Sequence, residues 1–450
     1  MKKVTAVFDI GKTNKKFFLF DQSLKVIFKD NVEVREIKDE DGDPCDDLTT
    51  IINWMLTTFD KALEMDGILI TSLNFSTYGA SFVHIDKNGK VLTPLYNYLK
   101  PTGDKTEQNF YNTYGDKSVL ARATASPSLG MLNSGLQLYW LKHKRPEVYK
   151  QVAYSMHFPQ YLSYLFTGVP LSDFTSLGCH TALWDFDEKD YHHWVYSEGI
   201  DQKLPPLVTT DTSVHISYKG RRLKVGVGIH DSSAALLPYL KTQKKSFTLL
   251  STGTWNIALN PFNKNLLSFD DLKQDCLNYM QPNAKPVRAA RLFMGNEHQL
   301  QFQKLKEKFP AANAGIAFDP ELFEKIEKED KKYFIFESLP NINDKKQTSL
   351  DELADFKTAY HQLIKELVDL QLNALNLAIG KNKPKKLFID GGFVANDLFV
   401  KMLVIKLPKM KIISAESAMG SSIGAAIVLS NKKMSGKFLK KHFYTKKHEA

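Results

Sequence analysis

Apolar residues along this chain fall into short runs separated by polar turns, and the first runs have the length of strands rather than helices. Val4 to Ile10 reads as one strand, Gly11-Lys12-Thr13 as a polar turn, and Phe17-Phe18-Leu19-Phe20 as a second strand, because an aromatic run favours sheet. The plan returns half a chain later: Ser246 to Leu250, the small turn Ser251-Thr252-Gly253-Thr254, then Trp255 to Asn260. Between the two hairpins, Leu48 to Met65 has the period of an amphipathic helix and Ile68 to Phe75 that of a buried strand. Ala80 to Ile85 continues as strand into a tight loop at Asp86-Lys87-Asn88-Gly89. Residues 101–200 are mostly helical and rich in aromatics, with Ser134 to Val152 and Pro159 to Phe166 the clearest helices, and read as a substrate-shaping insertion.

Past the polar stretch Lys241-Thr242-Gln243-Lys244-Lys245, the second half reads differently. Ala312 to Asp344 and the lysine-rich Lys381 to Lys386 look like surface, and Leu350 to Ile379 forms a long amphipathic helix or a pair. Leu387 to Asn396 is a buried strand, a glycine turn and a helix start, and Ser417 to Leu429 is a small-residue helix that packs closely on its neighbour. The expected division is residues 1–243, residues 244–430 and a basic tail over 431–450. Two phosphate-type hairpins in two halves imply a duplicated α/β domain with a nucleotide clamped between the copies. That plan resembles actin, hexokinase and the Hsp70 ATPase.

Composition narrows the class. A chain of 450 residues with 43% apolar content can fill two or three cores. Cys45, Cys179 and Cys276 fit no zinc or redox spacing and argue for a reducing compartment. Asp9 and Lys12 interrupt the apolar start before it reaches signal-peptide length, and no run reaches membrane-spanning length, so a cytoplasmic protein without a membrane partner is expected. The net charge of +10 would suit nucleic acid, but seven lysines against one glutamate lie between Asn431 and Ala450. We therefore expect a solvated terminal segment and no nucleic-acid partner. The mild positive bias that remains suits an anionic substrate such as a nucleotide.

The first turn ends like a P-loop but lacks its first glycine. A hairpin of this kind can offer a phosphate the backbone N–H groups of Gly11 to Asn14 and the side chains of Lys12 and Thr13, with Asp9 where a hydrated Mg²⁺ would go. The alternative reading is an ordinary hairpin with a charged tip. Val225 to Asp231 is a strand ending in a carboxylate, followed by a helix that Ser232 could cap. A carboxylate there can accept the proton of an alcohol during phosphoryl transfer, or can simply be an acid favoured by the helix dipole.

The segments Asp9-Ile10-Gly11-Lys12-Thr13-Asn14-Lys15-Lys16, Gly228-Ile229-His230-Asp231-Ser232, Ser251-Thr252-Gly253-Thr254-Trp255, Asp390-Gly391-Gly392-Phe393-Val394-Ala395-Asn396 and Ala418-Met419-Gly420-Ser421-Ser422-Ile423-Gly424-Ala425-Ala426 resemble, in order, the motifs of the FGGY carbohydrate kinases. The resemblance implies two ribonuclease-H-like domains of the actin, hexokinase and Hsp70 type, with ATP in the cleft and a small-molecule sugar held mainly by the first. It implies Asp231 as the general base and Asp9 at Mg²⁺. ATP and its phosphates would meet Gly11, Lys12, Thr13, Asn14, Lys15, Lys16, Thr252, Gly253, Thr254, Gly391, Gly392 and Asn396, and the sugar Tyr78, Gly79, His230, Asp231 and Ser232. Ser76 to Phe82 is most similar to the rhamnulokinase and fuculokinase branch, with Tyr78 in place of a tryptophan. Two stretches depart from the family: Asn97-Tyr98-Leu99-Lys100 replaces an Asp-x-Arg, and Phe158-Pro159-Gln160 a Pro-Lys-Asp.

His157, His180, His192 and His193 have no ligand spacing, the aromatics from Tyr154 to Phe166 read mainly as core, and Asp173 is a further candidate to touch sugar. The expected activity is phosphorylation of the 1-hydroxyl of a ketose or 6-deoxyketose, L-rhamnulose or L-fuculose in type, with xylulose, ribulose and glycerol as alternatives. The rival classes are an actin- or Hsp70-like ATPase and a non-catalytic sugar-binding regulator. A homo-oligomer is compatible with the sequence.

Overall fold

The computed structural model describes all residues except 311–315, 340–348, 416–418, 431–433, 435, 449 and 450. Among the described residues two seven-stranded mixed sheets dominate. In the first, Lys2–Ile10, Asn14–Asp21 and Val26–Glu33 form an antiparallel meander, and Lys2–Ile10 also pairs in parallel with Ile68–Thr77. Arg221–Gly226 and Ile229–His230 then both run parallel to Ile68–Thr77. The second sheet repeats the arrangement: Thr248–Thr252 is antiparallel to Asn256–Asn260 on one side and parallel to Lys386–Gly391 on the other, followed by Lys411–Ser414.

Both faces of the first hairpin are covered, which is why its strands read as unbroken apolar runs. Ala6, Phe8, Phe17 and Leu19 face a core shared with the Leu48–Leu63 helix, whereas Val7, Phe18 and Phe20 face a core shared with Leu249, Phe388 and Ile423 of the second half. The two halves therefore share one apolar layer. At its centre the Gly420–Val428 helix crosses the Asp231–Thr242 helix so closely that a Cβ on Gly424 would lie 1.9 Å from the Ala234 carbonyl oxygen. Buried Asn74 donates to the Ala425 carbonyl at 2.7 Å and ties that crossing to the first sheet.

Three expectations need correction. The helix expected over Ser134 to Val152 is two, Ser134–Lys144 and Pro146–Gln151, because Pro146 restricts Arg145 and starts a new helix. The surface read over Ala312 to Asp344 lies partly outside the described residues. The rest holds a helix at Pro320–Glu329, and Tyr333, Phe334, Phe336 and Leu339 enter the second core. The terminal segment is built into the fold: Leu439 and Phe443 are buried, and Lys446–His448 pairs with Lys411–Ser414. The long helix is one element, Phe356–Ile379, capped by the Asp355 carboxylate on the Thr358 N–H and preceded by one short turn.

Candidate active site

Asp231 opens its helix directly after the strand Ile229–His230, so the sheet aims its carboxylate out of the strand end. The side chain is 34% exposed. His230, not Ser232, occupies the cap position. Ser232 instead gives its backbone N–H to Asp231 Oδ1 at 2.5 Å. The His230 ring is buried, burial pushes its pKa down while the Asp231 and Asp173 charges oppose this, and its Nε2 lies 3.2 Å from Asp231 Oδ1. The same nitrogen lies 3.2 Å from Cys179 Sγ. Gly79 packs on this pair: a Cβ there would lie 3.0 Å from Cys179 Sγ and 3.2 Å from the His230 ring. Any larger residue here would have to push the Cys179 and His230 side chains aside by a few tenths of an ångström.

Asp9 is the penultimate residue of the first strand and is 7% exposed. Its Oδ2 accepts hydrogen bonds from Ser421 Oγ at 2.7 Å and Ser422 Oγ at 2.5 Å, both from the second half. Burial pushes its pKa up, the two serines and Lys16 oppose this, and the Asp231 charge adds to it. Oδ1 takes no hydrogen bond among the described residues. One open carboxylate oxygen suits Mg²⁺, which binds through one or two carboxylates when phosphates and waters complete its shell. No group of three or more His, Cys, Asp or Glu among the described residues is arranged to hold a metal on protein ligands alone.

The lysines of the first turn are held by nearby carboxylates. Lys12 Nζ lies 2.6 Å from Asp46 and 2.8 Å from Glu36, and buried Lys15 bonds the Lys12 carbonyl at 2.7 Å with Asp46 at 3.5 Å. Both ammonium groups are thereby engaged by protein acceptors in this conformation. Lys16, opposite Asp9 in the strand register, has no ion pair among the described residues, and Thr13 and Asn14 are exposed. Tyr78 is buried with its hydroxyl donating to Asp46 at 2.7 Å, and its ring meets Tyr98 and Phe158 at 6.1 and 5.6 Å. Lys12 Nζ stands 5.8 Å and 5.9 Å from the Tyr78 and Tyr98 ring centres. Asp46 was not found by sequence reasoning, because a cysteine-flanked acid carries no periodic signal, and Tyr98 entered it only within the stretch that departs from the family.

Asp173 is corrected. It is fully buried and caps a short helix, and its oxygens are taken by Thr175, Ser176, Thr210 and Gln160, leaving it no face for a sugar.

In the second half a cavity of about 330 Å³ is lined by Gly253, Thr254, Gly295, Asn296, His298, Gln299, Gly392, Phe393 and Asn396. It gathers Gly253, Thr254, Gly392 and Asn396, four of the residues singled out from sequence. Thr252 lies beneath, donating to the Asp390 carbonyl at 2.5 Å and accepting from the Phe393 N–H at 3.1 Å. Gly391 has a φ of 88° and a Cβ there would lie 1.8 Å from the Thr252 oxygen, so only glycine fits. Asn396 caps its helix through Phe399 and donates to the Tyr360 hydroxyl at 2.8 Å. Gly295, Asn296, His298 and Gln299 were missed. The strand, glycine and helix order of Arg291-Leu292-Phe293-Met294-Gly295-Asn296 was the available signal.

Residues 4–233 match the FGGY family of carbohydrate kinases, N-terminal domain. The chain belongs to this family. It is 24% identical over 230 residues to a rhamnulokinase of Halalkalibacterium halodurans, covering 49% of this chain and 48% of that one. With a rhamnulokinase of Mannheimia succiniciproducens it shares 27% over 273 residues, 56% of this chain and 52% of the other. The chain thus spans about half the length of the curated relatives it matches. A solved carbohydrate kinase from Novosphingobium aromaticivorans superposes with a TM-score of 0.78 at 22% identity, over 94% of this chain and 93% of that one. A xylulose kinase from Lactobacillus acidophilus gives 0.78 at 15% identity, over 99% and 93%. The fold is accordingly two ribonuclease-H-like domains. No helix among the described residues is long and apolar enough to cross a membrane.

Proposed function

We propose that this protein transfers the γ-phosphoryl group of ATP to a sugar hydroxyl, with Asp231 as the general base. The observation that carries the reading is the Asp231 carboxylate: it sits at a strand end, one-third exposed, with the buried His230 ring 3.2 Å from its Oδ1, and its charge reaches Asp9. The sugar O–H gives its proton to Asp231, the oxygen bonds to phosphorus, and the bond from phosphorus to the ADP oxygen breaks. The products are ADP and a sugar phosphate. Thr254, Gly253 and the glycines of the second-half cavity would receive the nucleotide, where small residues let the backbone approach its phosphates. Asp9 would hold Mg²⁺, which supplies charge neutralisation at the phosphates. The chain divides into a sugar-binding half, residues 1–243, and a nucleotide-binding half, residues 244–430.

The substrate class is a ketose phosphorylated at its 1-hydroxyl. A 6-deoxyketose such as L-rhamnulose or L-fuculose is the first reading, supported by the rhamnulokinase relatives and by the half-buried Tyr98 ring, which meets Tyr78 as an aromatic wall. A second reading, a pentulose or polyol, is favoured by Lys12 and Asp46, which place charge beside that wall. Measurement of kcat/KM for L-rhamnulose, L-fuculose, D-xylulose, L-ribulose and glycerol separates them. A deoxysugar is expected to lead. A clear lead for xylulose, ribulose or glycerol removes the first reading, and sugar-independent ATP hydrolysis removes the kinase reading itself.

A further inference from the structure

The contact between Asp9 and the paired serines joins the first strand to a helix more than four hundred residues away in sequence. Ser421 and Ser422 are the second and third residues of the Gly420–Val428 helix, and both hydroxyls converge on one oxygen of Asp9. A carboxylate has two oxygens, and loading both donors onto Oδ2 fixes the rotation of the group while Oδ1 stays clear of protein donors among the described residues. The helix is anchored on the first half further along as well, where Asn74 Nδ2 donates to the Ala425 carbonyl at 2.7 Å and Lys224 Nζ to the Leu429 carbonyl at 3.2 Å. The serines therefore approach Asp9 from a braced support rather than from a loose end.

Resting on the reading of Asp9 as the metal carboxylate, we propose that Ser421 and Ser422 are positioning residues that aim Asp9 Oδ1 at the divalent cation of a bound metal–nucleotide complex. Metal affinity in the first half is in this way set by side chains of the second. Partners that orient a ligating carboxylate typically govern metal affinity by about 10- to 100-fold.

The test is calorimetric titration of ADP into the full chain, first in EDTA and then across a series of Mg²⁺ concentrations. Wild-type protein is expected to bind ADP more tightly as Mg²⁺ rises. The Ser421→Ala/Ser422→Ala double variant should need about tenfold more Mg²⁺ for half of that gain. Its affinity for ADP in EDTA should be unchanged, which a general loosening of the fold would not leave intact. Ser421→Ala alone, at a half-buried position where folding is less at stake, should move the Mg²⁺ midpoint in the same direction, and Ser421→Thr, which keeps a hydroxyl, should stay near wild type. A midpoint that is unchanged, or that falls because the serines compete with the cation, overturns the proposal. Asp9→Asn separates the two levels of argument. If it abolishes the Mg²⁺ response while the double-serine variant leaves it untouched, the positioning role alone fails. If Asp9→Asn keeps the full response, the metal reading of Asp9 and the positioning role fail together.

Discussion

The two hairpins of this protein share a topology and differ in what their turns hold. In the first turn, Lys12 and its neighbour Lys15 are drawn onto Asp46, whereas in the second Gly253 and Thr254 stand open on a cavity of about 330 Å³. The carboxylates differ as well: Asp9 pairs in register with Ser76 on the parallel strand, but Ser251 pairs with Asp390, so the acid and the serine have exchanged strands. Each acid is then held by a helix from the opposite half, Asp9 by Ser421 and Ser422, Asp390 by the Tyr239 hydroxyl at 3.3 Å. A duplicated scaffold has thus kept its strand order while dividing the labour. Charge gathers on the first sheet, and backbone access on the second.

The largest expected effect tests that division at the base. Asp231→Asn should lower kcat by about 10²–10⁴-fold with ADP affinity little changed, read from sugar-dependent ADP release and from nucleotide titration. Near-normal turnover would take Asp231 out of the mechanism.

The two turns themselves are compared by Thr254→Val and Lys12→Met. Loss of a hydrogen bond to a charged phosphate should reduce kcat/KM for ATP about 10- to 100-fold in Thr254→Val, with the thermal midpoint unaltered. Lys12→Met should do the reverse, lowering the thermal midpoint by taking from buried Asp46 its shorter ion pair and leaving it Tyr78 and the more distant Lys15, with kcat/KM for ATP near wild type. An ATP defect as large in Lys12→Met as in Thr254→Val would erase the contrast between the turns.

The smallest effect concerns Asp390, whose pKa burial pushes up to about 6, with Ser251 and Tyr239 opposing. In the unfolded chain the same acid titrates near 4. Between about pH 4 and 6 the unfolded state sheds this proton first, so the contribution of protonated Asp390 to stability is full at low pH and is lost as pH rises through its folded pKa. Asp390→Asn should therefore match wild type near pH 4 and exceed it by about 2–3 kcal/mol near pH 8, measured by urea unfolding. A constant difference across that range would place the charge penalty elsewhere.

Much of the architecture was legible because it is local. Both hairpins, the Leu48–Leu63 helix and the strand, glycine and helix order around Gly391 follow from apolar spacing and turn residues within a few positions. The break at Pro146 was legible too, since proline sets its own boundary, but the apolar period on either side masked it. Frequent lysines hid Phe323 and Ile326, two core positions three residues apart on an otherwise charged helix. The contacts that order the site were not legible. Ser421 and Ser422 on Asp9, Asp46 beneath Lys12 and Tyr78, and Cys179 against His230 all join residues distant in sequence, and a single polar residue carries no period that could announce its partner.

The crossing of Gly424 over Ala234 has a mechanical consequence. Helices usually meet by ridges of side chains seated in grooves, and turning one against the other means climbing out of them. Here main chain rests on main chain, 1.9 Å from where a Cβ would stand. With so little relief at the point of contact, backbone alone sets the spacing of the two helices, and any side chain at position 424 would act as a wedge that drives the halves apart.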